Sequence, residues 1–342
     1  MRRNIKRDVK RYSCHKGVAL ITVMLVVALA AILATQMTAR LQLQLQRTAN
    51  IEENQQAYWF AMGAEAFAKR ILIMSFDGED NVTHLGQFWA QGENSYPVDY
   101  GNITGEITDL QSCFNLNALR STQSTSPTTA TTATTGSGNL AVEALERLIL
   151  AINIDNISEF EAKDMVDALT DWLDADDLVT NNGGAEDSEY SSKEYPYLPA
   201  NNYLGSLNEL RVVEHFTLNV IDKLKPYVCV IPNTNLHNIN VNTIKAEHVE
   251  LLTAVLDITQ SVAEEIISGR GDEGYQDISD VFVSSELSQL TDEQKEQLVI
   301  DSEYFTLKTK TTFNNSYFFL SSIMKIENNN QINIISRTIG RD

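Results

Sequence analysis

The chain has 342 residues and a net charge of −20, which is unevenly distributed along the sequence. Residues 1–17 carry seven Lys and Arg against one Asp, so residues 18–342 carry a net charge of −26. Proteins bind nucleic acid phosphates through Lys and Arg, which displace counterions. A body with this negative charge repels the phosphates. The composition excludes nucleic acid as a partner, and the length favours about two domains.

The N-terminal segment joins this basic leader to an uncharged apolar run from Val18 to Met37. At about 1.5 Å per residue, a helix of this length spans the hydrocarbon core of a bilayer. The positive charges favour a cytoplasmic leader and a body on the other side of the membrane. Three interpretations fit: a secretory signal peptide cut near residues 28–34, a simple membrane anchor, and a prepilin leader cut after Gly17.

Residues 38–74 favour the third interpretation. They contain no Pro and a single Gly, and their apolar side chains recur with a partly amphipathic helical pattern. Together with the apolar run, they predict one continuous helix over residues 18–75. A long helix that is apolar in its first half and amphipathic in its second resembles the N-terminal spine of type IV pilins and pseudopilins.

The residue at position 22 narrows this resemblance. Most members of that family carry Glu as the fifth residue after the cleavage Gly, where this chain has Thr22. A carboxylate inside an apolar helix is costly unless it is paired, and in the family it is thought to pair with the neighbouring subunit's N-terminal amine. A subunit at the filament tip has no such neighbour above it. The chain thus resembles the K-type minor pseudopilins of type II secretion systems, which lack this Glu.

The rest of the chain extends the resemblance. Asp109 followed by the Phe-Asn-Leu-Asn segment Phe114–Asn117 is similar to the K-type consensus. Residues 121–138 are of low complexity, rich in Ser and Thr, and predict a flexible linker. Residues 139–299 have a mostly helical pattern, and residues 302–339 alternate as about three antiparallel strands with Asn-rich turns.

Individual elements follow from apolar periodicity and from capping residues. Helices are predicted over Leu140–Ile152, Ser158–Leu173, Ser206–Val213, Asn242–Leu256, Thr259–Gly269 and Asp292–Val299. Short strands are predicted over Ile103–Leu110, Ser112–Leu116 and Tyr227–Ile231.

The predicted fold class is α+β: a type IV pilin-like fold, with a long N-terminal helix plus an antiparallel sheet, and a large inserted, mainly helical domain. Such an insertion is typical of the K-type family. The predicted segments are a prepilin leader (1–17), a transmembrane and spine helix (18–75), a pseudopilin sheet unit (76–118 and 301–342) and an inserted helical domain (119–300) that begins with the linker (121–138).

An acidic cluster is the strongest candidate site. Seven carboxylates lie among residues 171–189, namely Asp171, Asp174, Asp176, Asp177, Glu186, Asp187 and Glu189. The first two fall at the C-terminus of a predicted helix, where the dipole disfavours anions, and Lys193 is the only basic residue nearby in sequence. A divalent cation would compensate this charge. Calcium takes six to eight oxygen ligands, while the lack of Cys and His argues against zinc. On acidity alone, a solvated acidic loop is the favoured interpretation.

The family resemblance favours calcium. Asp-Trp-x-Asp-x-Asp, followed by Gly-Ala-Glu-Asp and Ala-Asn, is similar to the calcium-binding loop of K-type pseudopilins. The ligands that this resemblance implies are Asp171, Asp174, Asp176, Glu186, Asp187 and Asn201. They would hold one or two Ca²⁺ ions in a structural role.

Three cysteines are present, and Cys14 lies in the leader. If the body is exported, Cys113 and Cys229 form a candidate disulfide. Two separate buried thiols are the alternative, and the sequence leaves both open.

Two other functions receive little support. The segment Ile266–Val283 is similar to half of a helix-hairpin-helix DNA-binding module, but acidic residues surround its single Arg270, so a protein-interaction fold is favoured. The histidines stand alone, and no nucleophile motif, P-loop or His-Glu-x-x-His is present. We expect no catalytic activity, no nucleic acid partner and no small-molecule substrate.

The resemblance implies a minor pseudopilin at the tip of the type II secretion pseudopilus, which starts pseudopilus assembly and supports protein export across the outer membrane. Implied partners are the I-type and J-type minor pseudopilins, a prepilin peptidase that cuts between Gly17 and Val18, and the bacterial inner membrane. Val18 would then be N-methylated, and the body would lie in the periplasm. The alternative is a minor pilin of a type IV pilus.

Overall fold

The computed structural model describes residues 16–76, 82–120, 140–327 and 331–340. Most of the predicted leader and the whole predicted linker lie outside these residues. The chain divides into two compact units, residues 1–56 and residues 57–342. One helix, α1 (Lys16–Ser75), contains 60 residues and confirms the continuous spine that the sequence predicts.

In the part of α1 that belongs to the first unit, the residues described are exposed except Glu53 and Gln56, which are half-buried. Large apolar side chains, including Leu25 and Ile32, are more than half exposed to solvent there. By length and composition, this helix is apolar enough to cross a membrane. Thr22 donates a hydrogen bond from its Oγ1 to the carbonyl oxygen of Ala19, over 2.9 Å. A hydroxyl satisfied within its own helix is tolerated in apolar surroundings.

The second unit contains the remaining elements. Its helices are α2 (Leu140–Ala151), α3 (Glu159–Leu173), α4 (Asp187–Ser191), α5 (Leu218–Leu224), α6 (Val249–Leu256), α7 (Gln260–Gly269) and α8 (Asp292–Lys295). Its strands are β1 (Asn94–Val98), β2 (Gly101–Asp109), β3 (Phe114–Asn115), β4 (Val228–Cys229), β5 (Ile239–Asn240), β6 (Leu298–Val299), β7 (Tyr304–Phe313), β8 (Ser316–Glu327) and β9 (Gln331–Ile339).

Five strands form one antiparallel sheet in the order β1-β2-β7-β8-β9. Side chains alternate between its faces, because successive residues of a strand point to opposite sides. On β7, Phe305 and Leu307 are buried with Ala68 and Leu72 of α1 in one apolar cluster. The other face of β7 exposes polar side chains. The predicted meander over residues 302–339 is therefore confirmed, and one face of the sheet covers the second half of α1.

A buried ion pair ties α1 to the edge strand of this sheet. The Glu65 side chain is only 4% exposed, and both of its carboxylate oxygens accept hydrogen bonds from Arg337 on β9, over 2.8 and 2.9 Å. Ser322 on β8 donates a third hydrogen bond to the same carboxylate, over 2.7 Å. Two donors of one guanidinium fix both position and angle, so the helix is held in one register against the sheet.

The helical part forms a separate and larger apolar core around α2, α3 and α6. Its helices α2, α3 and α7 confirm their predicted positions to within one residue. Ser158 and Glu161 begin α3 with the predicted capping box. Arg270, the single basic residue of the segment 266–283, is half-buried and donates from Nη1 to the carbonyl oxygen of Val241, over 3.2 Å.

Three predicted helices are wrong at one or both ends. Helix α6 begins at Val249 instead of Asn242, because the Asn242 side chain is bonded to both backbone polar groups of Tyr275, over 2.7 and 3.0 Å. Helix α8 ends at Lys295, because β6 follows it and pairs in parallel with β5. The predicted helix over residues 206–213 is a short 3₁₀ helix, Leu207–Arg211.

Several short elements, including α4, α5, β1 and β5, are missing from the sequence predictions. Helix α5 is only seven residues long, and its N-cap, Thr217, accepts from the backbone N–H of Val220 over 3.4 Å. Strand β1 contains Pro97, which argues against a strand in a sheet interior, but β1 lies at the sheet edge. Propensity is a weak guide for elements this short.

Buried polar side chains join the sheet to the helical part. Asp109, at the end of β2, accepts from Gln111 N–H over 2.7 Å at Oδ1. Its Oδ2 accepts from Ser302 and Thr243, each over 2.6 Å. Burial raises the pKa of Asp109 to about 6, although all three hydrogen bonds oppose the shift. This carboxylate therefore connects the sheet to two segments distant in sequence.

The two asparagines of the predicted Phe-Asn-Leu-Asn consensus continue this connection. Asn115 donates to the carbonyl oxygens of Thr234 and Leu236, over 3.2 and 3.0 Å. Asn117 is fully buried, donates to the carbonyl oxygens of Leu204 and Ile231, and accepts from Leu204 N–H over 2.8 Å. An amide side chain both donates and accepts, so each residue satisfies buried backbone groups that lack a strand partner.

We expect Arg337→Gln to lower the free energy of unfolding by about 2–3 kcal/mol, because it leaves the buried Glu65 carboxylate without its charged partner. Burial raises the pKa of Glu65, but the hydrogen bonds from Arg337 and Ser322 outweigh it, and the net pKa is lowered. The ion pair therefore stabilises the fold above the unfolded pKa of Glu, and this contribution is lost as pH falls through the lower folded pKa.

Denaturant unfolding of the full chain in a non-ionic detergent measures this difference. Arg211→Gln is the matched control, because Arg211 is exposed on the 3₁₀ helix. Equal effects of the two substitutions would contradict a specific role for the ion pair.

Candidate metal centre

The predicted acidic loop connects α3 to α4. Asp174 is the C-cap of α3, and its N–H donates to the carbonyl oxygen of Thr170 over 2.9 Å. Glu186 is the N-cap of α4. The loop between them thus brings the C-terminal end of one helix and the first turn of another to the same place.

Carboxylates from both ends of this loop converge. Asp174, Asp176 and Glu186 each offer an oxygen, and these oxygens lie within 4.8 Å of one another. Asp177, Glu186 and Asp187 form a second such group, so Glu186 belongs to both. Like charges at this separation repel strongly unless a proton or a cation lies between them.

Several oxygens of the predicted ligands are buried and lack a hydrogen-bond partner among the described residues. They are Glu186 Oε1 and Oε2, Asp174 Oδ1 and Asn201 Oδ1. Burying an unpaired carboxylate costs free energy, because water no longer solvates it. Oxygen ligands from carboxylates and an amide, in an irregular loop, match the preference of calcium. The donor set therefore fits the cation that the sequence predicts, while the ligand assignment itself stays a prediction.

The electrostatics of the metal-free loop follow from this crowding. Burial, together with the charges of Asp171 and Asp174, raises the pKa of Glu186 to about 7. Burial likewise raises the pKa of Asp174 to about 6, with Asp176 and Asp171 adding to the shift. The cluster holds protons near neutral pH that ordinary carboxyl groups would have lost.

Asp171 has a different position from the other predicted ligands. Its residue is fully buried, and its Oδ1 and Oδ2 lie 3.0 and 3.1 Å from the backbone nitrogen of Thr180, which donates to them. A Cβ on Gly184 would lie 2.2 Å from Asp171 Oδ2. Asp171 thus shapes the loop through its hydrogen bonds, and Gly184 is required because the backbone passes so close to that carboxylate.

Gly183 has a similar role on the other side of the loop. A Cβ on this residue would lie 2.4 Å from the Cα of Asp164 on α3. The neighbouring Asn181 donates from Nδ2 to Asp167 Oδ1 over 2.9 Å, and so attaches the loop to α3 again. The two glycines allow the loop to pack directly against the helix.

Two basic residues, Lys193 and Arg120, lie close enough to the acidic loop to affect its charge. Lys193 is paired with Glu214 and lies 3.6 Å from Glu189, so it does not neutralise the convergent carboxylates. Arg120 lowers the pKa of Asp174, although it is the least of the causes acting there. Sequence reasoning missed Arg120, which lies far away in the chain, and it left Asp177 out of the ligand set although that residue belongs to the same acidic string.

The two remaining cysteines are paired. Cys113 and Cys229 form a disulfide with a Cα–Cα distance of 5.8 Å and a sequence separation of 116 residues. The bond lies beside the parallel pair of β3 and β4, where Asn115 is opposite Cys229. Of the two alternatives that the sequence leaves open, the structure contains the disulfide.

The predicted cleavage site lies at the start of α1. Gly17 and Val18 fall in the first turn of this helix, and both are exposed. The apolar run follows without interruption, with Thr22 on the next turn. Processing at this site stays a prediction.

The fold and the acidic loop can now be compared with known proteins. Two family models, both described as type II secretion system (T2SS), protein K, match residues 112–233 and 239–301. The type II secretion system protein K of Aeromonas hydrophila is 36% identical over 269 residues, which cover 78% of this chain and 79% of that protein. The chain belongs to the type II secretion system protein K family.

Two further comparisons agree with this membership. The type II secretion system protein K of Klebsiella pneumoniae is 31% identical and covers 91% of this chain. A chain in the crystal structure of the GspK–GspI–GspJ complex from enterotoxigenic Escherichia coli matches with a TM-score of 0.74 and 30% identity. That match covers 86% of this chain and 100% of the other.

Family membership confirms the K-type resemblance and the α+β pilin-like fold. The chain has the role of a minor pseudopilin in type II secretion, and the type IV pilus alternative is set aside. Its relatives are structural components of the secretion system. One long apolar helix at the N-terminus fits a single-pass membrane anchor in such a component.

In metal-free buffer, we expect the free energy of unfolding to fall as pH rises from about 4 to about 7. Asp174 and Glu186 have raised pKa values in the folded state, about 6 and about 7, so the folded chain binds more protons than the unfolded chain in this window. The stabilisation is full below the unfolded pKa values and is lost as pH rises through the folded ones.

Denaturant unfolding at a series of pH values measures this slope, and Glu186→Gln should flatten it. Glu194→Gln is the control, since Glu194 is exposed in the segment just after α4. A wild-type slope that persists unchanged in Glu186→Gln would show that other groups cause it.

Proposed function

We propose that this minor pseudopilin forms the tip of the type II secretion pseudopilus, where it starts pseudopilus assembly and supports export across the outer membrane. The observation that carries the proposal is the match to a whole chain of the GspK–GspI–GspJ complex, at a TM-score of 0.74. By this likeness, the I-type and J-type minor pseudopilins are its partners. The large helical part, which an ordinary pilin unit lacks, would prevent another subunit from stacking above it.

Thr22 supports the tip of the filament as the position of this chain, where no other subunit lies above it. Its hydroxyl is satisfied by the carbonyl oxygen of Ala19 within α1, so it requires no partner from another subunit. A Glu at this position would require a positive partner inside an apolar environment. At the tip of a filament, a subunit has no neighbour above it that could supply this positive partner.

The proposal includes a maturation route. A prepilin peptidase would cut between Gly17 and Val18, and N-methylation of Val18 would follow. The basic leader favours the cytoplasmic side, so the body would lie in the periplasm and α1 would cross the inner membrane once. The disulfide between Cys113 and Cys229 supports an oxidising compartment.

Calcium is the proposed cofactor of the acidic loop. Asp174, Asp176 and Glu186 would hold one ion, with Asn201 as a further ligand, and Asp177, Glu186 and Asp187 would hold a second. When bound, the cation would supply positive charge and coordination to oxygens that include the unsatisfied ones of Asp174 and Glu186. The role is structural: it would fix the loop against α3 and α4, and no catalytic activity is proposed.

We expect calcium to raise the melting temperature of the metal-stripped full chain in a non-ionic detergent, and a chelator to reverse the change. At a calcium concentration about a hundredfold above Kd, the stabilisation is about 2.7 kcal/mol. Glu186→Gln should weaken binding by about tenfold or more, because it removes the carboxylate common to both groups.

The same variant should be more stable than the wild type when both are metal-stripped, because it removes one of the repelling charges. Glu194→Gln should match the wild type in both conditions. Calorimetry that detects no calcium binding by the metal-stripped wild-type chain would sink the cofactor assignment.

The functional proposal is tested in a strain that lacks this chain. We expect secretion of exoproteins to be lost while twitching motility is kept, and the wild-type chain to restore secretion. Mass spectrometry of the restoring protein should find N-methylated Val18 at its N-terminus.

Loss of pili in the deletion strain would contradict the secretion role. A mature N-terminus near Ala31 or Thr35 would instead indicate a signal peptidase. Immunogold labelling along the whole filament, and not at one end, would overturn the position at the tip.

A further inference from the structure

A group of lysines stands out against the acidity of this chain. Residues 18–342 carry a net charge of −26. Even so, Lys225, Lys245, Lys308 and Lys310 line two hollows on the face of the sheet that is turned away from α1. At physiological ionic strength, charges further than about 8–10 Å away are largely screened, so the local sign decides what binds there.

The two hollows are continuous. They have volumes of about 300 and about 470 Å³, and both are lined by Lys225, Lys308 and Ser321. The sheet contributes one wall through β7 and β8, and the helical part contributes the other through the end of α5 and the segment before α6. We call this combined hollow the lysine cleft.

The lining of the lysine cleft is mixed, with apolar side chains such as Ile323 beside polar ones. Hydroxyl side chains, including Ser321 and Thr338, are available to bond a peptide backbone. The disulfide between Cys113 and Cys229 lies in its wall and links the residue before β3 to β4. A groove with fixed walls binds a flexible segment at lower entropic cost than a mobile one.

Three acidic side chains line the same cleft. Asp109 is buried, and its Oδ2 is bonded to Ser302 and Thr243, so its charge is turned into the fold. Glu106 lies across from Lys308 in the β2–β7 register, and Glu93 lines the second hollow. Lysines thus outnumber the acidic groups, and Lys225, Lys245 and Lys310 are exposed.

We propose that the lysine cleft binds an extended, acidic segment of a partner protein. Its charge complements carboxylates, its hydroxyls suit a backbone, and its length across two hollows suits several residues in sequence. The acidic loop of a second copy of this chain is a poor occupant, because Asp174, Asp176 and Glu186 already converge on one another within that loop. The partner is therefore a different polypeptide.

The test measures binding of a short labelled peptide of alternating Glu and Ser to the full chain in a non-ionic detergent, by fluorescence anisotropy. The cleft variant is Lys225→Gln, Lys245→Gln and Lys310→Gln together, and it keeps Lys308 because Glu106 is across from it. The control variant is Lys163→Gln, Arg211→Gln and Lys223→Gln, which removes the same charge from exposed sites outside the cleft.

We expect the cleft variant to bind the peptide about tenfold more weakly than the wild type, since three exposed ion pairs are lost. The control variant should bind like the wild type, and a peptide of alternating Gln and Ser should not bind. Added salt should weaken binding to the wild type and have little effect on the cleft variant.

Four results would overturn the proposal. The first is equal binding of the Glu and Gln peptides, and the second is equal loss in the cleft and control variants. The third is self-association of the wild type, by light scattering, that the cleft variant loses, because the occupant would then be a second copy. The fourth is cleft-dependent binding of phosphatidylglycerol vesicles without peptide binding, because the occupant would then be a lipid. None of these measurements depends on secretion, so they are separable from the proposed function.

Discussion

The second unit depends on one buried carboxylate. Asp109 ends β2 and accepts hydrogen bonds from Thr243 in the helical part and from Ser302 just before β7. These three segments are far apart in sequence, and no apolar contact would fix their mutual register as narrowly. Burying a charge is unfavourable, so the site is stable only while its donors are in place. Asn115 and Asn117 extend the same principle to backbone groups of the helical part.

A polar connection of this kind has a structural advantage over a larger apolar interface. Apolar contacts tolerate sliding, whereas amide and carboxylate hydrogen bonds require defined distances and angles. The sheet and the helical part have separate main apolar cores, and they meet through directional bonds and through a small apolar cluster that contains Tyr304 and Ile231. The acidic loop follows the opposite course, because Asp174 Oδ1 and both carboxylate oxygens of Glu186 are buried and lack hydrogen-bond donors among the described residues. The connection around Asp109 is stabilised by hydrogen-bond donors within the chain, whereas the acidic loop leaves carboxylate oxygens available to a ligand.

Much of the fold was predictable, because long periodic segments carry a clear signal. The helices α1, α2, α3 and α7 and the C-terminal strands follow from such patterns. The errors have a common physical cause: a contact with a segment far away in sequence decides the local structure. Asn242 satisfies Tyr275 instead of capping a helix, and β6 pairs with β5 instead of extending α8. Glu65 and Arg337 are 272 residues apart, so nothing in the local sequence indicates their ion pair.

The candidate metal site could also be predicted only in part from the sequence. Its composition and its family-like string were visible in the sequence, and so were both cysteines. Which of the carboxylates converge was not, because the answer depends on how Gly183 and Gly184 let the loop approach α3. The disulfide has one more consequence. It joins residues 113 and 229, so a single cut anywhere between them, the Ser- and Thr-rich stretch included, leaves both pieces covalently joined. A subunit exposed to proteases could be nicked there and still keep its sheet and its helical part on one molecule.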